Sequence, residues 1–393
     1  MRTRVFAIAA GILCLMTQFP SANAQKQPSQ VTRVADAAMK RWPDGASPNW
    51  DFTLGVELAG INAAWQQTHN KAYFAYLQHV IDLFVQADGT IRTYKTEDYS
   101  LNNILLGRQL LLLHSTTKQE KYAKAAEILR KQLAAQPHTA SGGFWHTAAT
   151  PNLMLLDDLY MFAPFWAEYA NTFDAKDPRA DIAQITKQFV LLDQHAREIR
   201  TGLYFHGWDE SKKAQWSDPK TGVSPNVWAR GMGWYMMALV DTLQYLGKND
   251  PNRAVLLDIL NRAAAGLLAK QDGQTGLWYQ LIDKPELKEN YIESSSVIML
   301  TYALQRGVHL GYLSKDDATP AQHAWRGIQE RFVKTAPEGS ISLAGTVTGI
   351  AMGAVPANDG SDGYYLHAPV VSDDPKGIGP FLMLAAEMER GRK

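Results

Sequence analysis

Two adjacent carboxylic acids, Asp157 and Asp158, interrupt the otherwise apolar stretch NLMLLDDLYM at residues 152–161. Charged side chains are seldom fully buried unless something pairs with them or uses them. Successive helical residues lie ~100° apart, so at most one of the two points squarely into a cavity. Aspartate is also a favoured N-cap, and a helix starting here accounts for either residue without chemistry. The two roles are compatible. A carboxyl group beside Leu155 and Leu156 has its pKa raised by desolvation, whereas a helix N-terminus lowers it. General-acid work at neutral pH requires the first effect to win.

Three more stretches gather polar and aromatic residues that a plain core would not choose. GLYFHGWDES, residues 202–211, carries His206 and Trp208; the histidine is either a packing residue among aromatics or a hydrogen-bonding group of a site. SPNVWARGMGWYMMALVDTL, residues 224–243, sets Trp228 and Arg230 two residues apart, with Gly231, Gly233 and Trp234 where an apolar helix begins. Glycines there cost helix stability and let a ligand or a neighbouring backbone come close. An arginine beside tryptophan suits a carboxylate-bearing sugar, the guanidinium forking onto the acid and the indole stacking on the ring. Helix-packing glycine and a structural ion pair explain the same residues without a ligand. In DYSLNNILLGRQLLLL, Asn102 and Asn103 form a polar notch at a helix start, and capping explains only one of them.

What is missing narrows the chemistry. There is no P-loop, no HExxH, no G-x-S-x-G and no cysteine-based metal set. The ten histidines are scattered without ligand spacing, so no metal and no other cofactor is expected. Lys plus Arg and Asp plus Glu balance at 39 each, which argues against an electrostatic grip on nucleic acid or an anionic membrane. Arg2 and Arg4, the apolar run VFAIAAGILCLM and Ala22-Asn23-Ala24 together form an export signal with an A-x-A cleavage site. The expectation is a signal peptide over residues 1–24, a mature chain from Gln25, and a periplasmic or secreted protein. The single cysteine, Cys14, lies inside that segment, leaving the mature chain without thiol chemistry.

These residues must be positioned by helices. Apolar periodicity predicts about twelve, at roughly 30–42, 51–68, 71–87, 101–115, 118–135, 155–172, 178–197, 226–247, 252–270, 292–312, 318–335 and 376–391. Strand patterns are short, GLYFHGW and ISLAGTV being the clearest. A weak repeat recurs between helix pairs: GGFWH at 142–146, GLYFH at 202–206 and GLWYQ at 276–280. One loop type recurring at one end of a helical assembly predicts an all-α (α/α)6 toroid of six hairpins, with a curved helical solenoid as the alternative. No Pro/Ser-rich linker divides residues 25–393, so one domain is expected.

Taken in order, YSLNNILLGR, GGFWHT, PNLMLLDDLYM, GLYFHGWDES and SPNVWARGMGWYMMALVD resemble the unsaturated uronyl hydrolases. The likeness is to the unsaturated rhamnogalacturonyl hydrolases of glycoside hydrolase family 105 and their glucuronyl relatives of family 88. It extends to the tail DGSDGYYLHAPVVSDDPKGIGPF. The resemblance implies an (α/α)6 barrel, and a monomer or weak dimer is expected. Its substrate would be an oligosaccharide that a polysaccharide lyase has left with a terminal 4,5-unsaturated uronate. By motif, Asp157 matches the catalytic aspartate, while His146, His206, Trp228 and Arg230 match residues lining the family's site; Trp234 follows in the same motif. Asp158 stands where the family often has glycine and takes a structural role. Asn102 stands where the family usually has a second aspartate; Leu155 replaces a tryptophan, Leu153 a glutamine and Thr147 a lysine. Those departures leave two further readings open: an exported binding protein for acidic sugars, and an exo-glycosidase acting on a saturated sugar.

Overall fold

The computed structural model of the chain describes residues 28–173, 178–337, 339–353 and 358–390. The expected signal peptide and Cys14 lie outside them. Thirteen α-helices are present among the described residues: α1 (Gln30–Arg41), α2 (Phe52–Thr68), α3 (Lys71–Asp82), α4 (Gly107–Thr117), α5 (Glu120–Ala135), α6 (Asp158–Phe173), α7 (Arg179–His195), α8 (Ala229–Leu243), α9 (Pro251–Leu268), α10 (Ser294–His309), α11 (Ala318–Arg331), the short α12 (Asp362–Leu366) and α13 (Pro375–Glu389). All twelve expected helices are there. The helix expected over 101–115 is instead a 3₁₀ turn at Leu101–Asn103 followed by α4.

Burial sorts these helices into two rings. Every residue of α8 is buried, as is α13 from Pro375 to Met388, whereas α5 buries one stripe and leaves its lysines outside. Helices apolar all round belong inside and amphipathic ones outside. The inner ring runs α2, α4, α6, α8, α10 and α13, and α13 packs back onto α2. Outside it, α3, α5, α7, α9 and α11 each pack on the inner helix that precedes them, and α1 packs on α13 and α2. The closure of α13 on α2 makes the fold an (α/α)6 barrel and sets the open solenoid aside.

The weak aromatic repeat marks the connections from outer to inner helices. At Gly89 the N–H donates to Gln86 O while Gln86 N–H donates to Thr90 O; the same pair of bonds recurs around Gly142 and Gly339 and, with one more residue in the turn, around Gly202 and Gly276. All five glycines have positive φ, from 72° to 93°, a conformation that costs glycine nothing. The turn therefore recurs more often than the aromatic residues that revealed it, and it brings the N-termini of the inner helices to one pole.

Three two-stranded antiparallel ribbons are the only strands among the described residues: β1 (Leu153–Leu155) with β2 (Gly207–Asp209), β3 (Val333–Thr335) with β4 (Ile341–Leu343), and β5 (Thr346–Val347) with β6 (Val370–Val371). The two expected strands are thus shorter than their patterns, and β1, β3 and β6 carried no pattern of useful length. The first ribbon matters most. It pairs Leu155 with Gly207, and Leu156 N–H continues the ladder to His206 O at 3.0 Å. Two loops distant in sequence are so locked side by side.

Candidate active site

That ribbon delivers Asp157 and His206 to one point at the pole where the inner helices begin. Asp157 immediately precedes α6, and its Oδ2 lies 3.0 Å from His206 Nε2. The histidine side chain is 1% exposed and the aspartate 17%, so the acid faces the mouth and the imidazole stands behind it. On its far side, His206 Nδ1 lies 2.7 Å from the Tyr365 hydroxyl. That hydroxyl also has Met352 Sδ within reach at 3.6 Å, but the ring nitrogen is nearer and the better acceptor. Tyr365 O–H therefore donates to Nδ1, which leaves the proton of a neutral imidazole on Nε2, donating to Asp157 Oδ2. Asp157 Oδ1 makes no hydrogen bond to the described residues. A protonated Asp157 consequently carries its proton on Oδ1, on the open side.

Trp228 and Arg230 join this group but are more enclosed than their spacing suggested. The Trp228 ring is 1% exposed. Arg230 lies over it at 4.8 Å, with His206 and Tyr365 at 4.6 and 5.6 Å. The open stacking face expected of this indole is filled by protein. Arg230, 2% exposed, donates from Nη1 to Val347 O at 2.6 Å and to Ser295 Oγ at 3.2 Å, and from Nη2 to Thr348 O at 2.6 Å. A guanidinium has five donors; only the Nε–H and one Nη2–H are left over. The full fork expected for a ligand carboxylate is mostly spent on holding β5 and the residue after it to α8. Gly231 lies directly under the site: a Cβ there would sit 3.2 Å from His206 Cδ2 and 3.4 Å from Asp157 Oδ2.

His146 and Asp158 form a second acid–imidazole pair beside the first. His146 Nδ1 meets Asp158 Oδ1 at 2.6 Å, and Leu155 N–H donates to Asp158 Oδ2 at 3.0 Å. Asp158 is 2% exposed, so it is the structural neighbour and orients the histidine. Burial pulls the His146 pKa down, but the Asp158 carboxylate, with a further contribution from Asp157, outweighs it and the net direction is up. Asn102 is half-buried on the 3₁₀ turn, which packs against α6; Leu101 N–H next to it donates to His146 O at 3.1 Å.

Trp234 does not belong to this group. It is 2% exposed and stacks on Tyr160 at 5.1 Å, part of the packing beneath the mouth rather than its rim. Trp208 likewise stacks on His195 at 3.9 Å. Conversely, Tyr365 escaped sequence reasoning: it lies 159 positions from His206, and its only signal was the tyrosine pair in DGYYLH. Among the described residues no group of three or more His, Cys, Asp or Glu is placed to hold a metal ion.

A closed ring of six helical hairpins with a partly exposed acid at the mouth is the build of an (α/α)6 carbohydrate-active enzyme. Residues 27–391 match the model of Glycosyl Hydrolase Family 88, and the chain belongs to that family; it is a glycoside hydrolase. A solved family 105 glycoside hydrolase from C. acetobutylicum ATCC 824 superposes with a TM-score of 0.88 at 37% identity, covering 92% of this chain and 99% of that one. Protein Atu3128 of Agrobacterium fabrum (strain C58 / ATCC 33970) is 39% identical over 233 residues, 58% of this chain and 97% of the relative. The unsaturated rhamnogalacturonyl hydrolase YesR of Bacillus subtilis (strain 168) is 27% identical over 283 residues, 70% of this chain and 75% of the relative.

Proposed function

We propose that this chain is an exo-acting hydrolase that removes a terminal 4,5-unsaturated uronic acid from lyase-generated oligosaccharides by hydrating the C4=C5 bond. The observation that carries the reading is the asymmetry of Asp157: Oδ2 is held by His206 at 3.0 Å and Oδ1 is uncommitted at the mouth. One carboxyl group held this way suits a reaction in which acid and base act in turn. Two opposed carboxylates, as in ordinary glycoside hydrolysis, are not needed.

The enol ether of such a uronate accepts a proton at C4. Asp157 Oδ1–H donates it, and positive charge develops at C5 and the ring oxygen. The resulting carboxylate takes a proton from the water that attacks C5, which restores the acid. The C5 hemiketal then opens to a ketone, the freed oxygen leaves a hemiacetal at C1, and its collapse releases the aglycone. His206 holds Oδ2 as an acceptor throughout, and Tyr365 is a positioning residue that holds His206. For the anionic substrate, the inner-helix N-termini place their positive ends at this pole, His146 is held toward its protonated form, and Arg230 retains two donors. We propose that the work is done after export, in the periplasm or outside the cell; a mature chain beginning at Gln25 would support this, and an uncleaved one would refute it.

The test is the ultraviolet absorbance of the conjugated double bond in lyase-treated rhamnogalacturonan, glycosaminoglycan or ulvan oligosaccharides. Catalytic loss of absorbance is expected, with Asp157→Asn lowering kcat by at least about a hundredfold at unchanged circular dichroism. Binding without loss would mark a binding protein. Release of sugar only from saturated substrates would mark a different glycosidase.

A further inference from the structure

Glu57 is an acid that the chemistry at the mouth does not use. It lies on α2, is 0% exposed, and makes no ion pair among the described residues. A buried carboxyl group without a cation is normally neutral or costly. Its Oε2 accepts from Ala46 N–H at 2.7 Å, and its Oε1 lies 2.5 Å from the Tyr76 hydroxyl. That hydroxyl is also hydrogen-bonded to Trp42 O, at the C-cap of α1.

Counting protons decides which group donates. A phenol carries one hydrogen and a carbonyl carries none. With Glu57 ionised, Tyr76 would face two acceptors, and one of the two contacts would set lone pair against lone pair. With Glu57 as the acid, every contact has its hydrogen: Glu57 Oε1–H donates to Tyr76 Oη, and Tyr76 O–H donates to Trp42 O. Burial acts in the same direction, pushing the Glu57 acid up from its ordinary 4.5 to about 7 over the lowering effect of the Tyr76 and Ala46 bonds. Burial, reinforced by Glu57, also raises Tyr76 well above the ordinary phenol value, so the middle of the relay keeps its proton.

The charged groups of the elements packed on α2 are committed elsewhere. On α1, Arg33 is bonded to Gly339 O, Asp36 to Tyr73 and Arg41 to Asp373. On α3, His79 pairs with Asp44 and Asp82 with Lys121. On α4, Arg108 pairs with Asp241; on α13, Lys376 pairs with Asp374 and Glu387 with Arg306. Lys40 and Lys71 are exposed, and Asp51 caps α2 itself.

We propose that Glu57 is held as a neutral acid in the folded chain and forms, with Tyr76 and Trp42 O, a pH-sensitive latch that fastens the α1–α2 connection, residues 42–51, to α2 and α3. The connection is closely seated: a Cβ on Gly45, whose φ is 92°, would lie 2.5 Å from Leu54 Cδ1 and 2.8 Å from Val80 Cγ1. At its other end, Trp50 Nε1–H donates to Asn103 O at 2.9 Å, on the 3₁₀ turn that packs against α6. Ionisation makes the Tyr76 proton choose between the carboxylate and Trp42 O, and one bond is lost either way. Because the acid is weaker in the folded chain, the latch is at full strength below the ordinary value of 4.5 and is lost as pH rises through the folded value of about 7.

The test compares denaturant unfolding of the full chain with that of Glu57→Gln between about pH 5 and about pH 9. Glutamine copies the acid form, its amide N–H donating to Tyr76 and its carbonyl accepting from Ala46 N–H. The variant should gain on the parent as pH rises, by at least about tenfold in the folding equilibrium constant across that range. The difference between the two proteins removes His146 and every other titrating group. Amide-exchange protection over residues 42–50 should be lower in the parent than in the variant at the alkaline end and equal at the acidic end. A difference that does not change with pH overturns the proposal. So does a variant that loses more stability at alkaline than at acidic pH, which would show an ionised Glu57 accepting from Tyr76. Should the variant not fold, infrared spectroscopy of Asp157→Asn, which lacks the acid at the mouth, decides between them. The carbonyl stretch of a buried protonated carboxyl group is expected at about pH 6 and should vanish at about pH 9, and its absence at the lower pH refutes the latch.

Discussion

Asn102 is the residue whose chemistry departs furthest from the pattern this chain otherwise resembles. It sits on the turn tied to His146 by the Leu101–His146 backbone bond, and that turn packs against α6, the helix that Asp157 precedes. A carboxylate near Asp157 would raise the pKa of Asp157 by like-charge repulsion; an amide of the same shape exerts none. Asn102→Asp is therefore expected to shift the pH optimum upward, measured as the pH–rate profile of kcat/KM on an unsaturated substrate. An unchanged profile would show that residue 102 is not coupled to the acid. At this scale the sequence revealed residue type better than exposure. Asp157 and His206 meet as motif order implied, but Trp228 and Arg230 are enclosed by Tyr365, Ser295 and β5, partners far along the chain that no local spacing reveals.

At the scale of elements, the site depends on where α6 and α8 begin and on the ribbon between them. The His146–Asp158 pair ties the repeated glycine loop to the start of α6. Because the His146 pKa is raised in the folded chain, the stability it contributes is complete below its unfolded value of about 6.5 and is lost as pH rises through the folded value. His146→Gln should therefore lower the unfolding midpoint more at about pH 6 than at about pH 9, and an equal loss at both would rule out the charged pair. The first turn of α8 separates helix stability from site geometry. Alanine is a better helix former than glycine by about 1 kcal/mol, yet a methyl on Gly231 would press on His206 at 3.2 Å and touch Asp157 at 3.4 Å. Gly231→Ala should keep or raise thermal stability while kcat/KM falls; parallel changes in both would show that the glycine serves only the helix. These helices were legible because their apolar period is long. The ribbons were legible only in part: GLYFHGW and ISLAGTV marked β2, β4 and β5, but the two or three residues of β1, β3 and β6 cannot display an alternation, and Gly89 and Gly339 escaped the repeat because no aromatic run follows them.

For the molecule as a whole, the decisive contact is the one that turns a row of hairpins into a ring. Helix count made six hairpins legible, but closure joins α2 to α13 across most of the chain, and no local pattern records it. The contact rests on two small residues that in sequence resemble ordinary helix-weakening glycines. A Cβ on Gly379 would lie 2.1 Å from Val56 O, and one on Gly60 would lie 2.7 Å from the Gly379 Cα. Both obstacles are backbone, so no rotamer change relieves them and the helices must separate. Overpacking of this kind costs about 1–3 kcal/mol or more, and at Gly379 it outweighs the helix-propensity gain of alanine. Gly379→Ala is expected to lower the denaturant midpoint clearly, whereas Gly247→Ala, where a Cβ meets nothing within 4 Å, should stay within about 0.5 kcal/mol of the parent. Combining Gly379→Ala with Gly60→Ala should cost less than the sum of the two, because one separation of α2 from α13 makes room for both methyl groups. Strict additivity in that cycle would mean that the two glycines do not share a contact, and the ring would have to be held shut elsewhere.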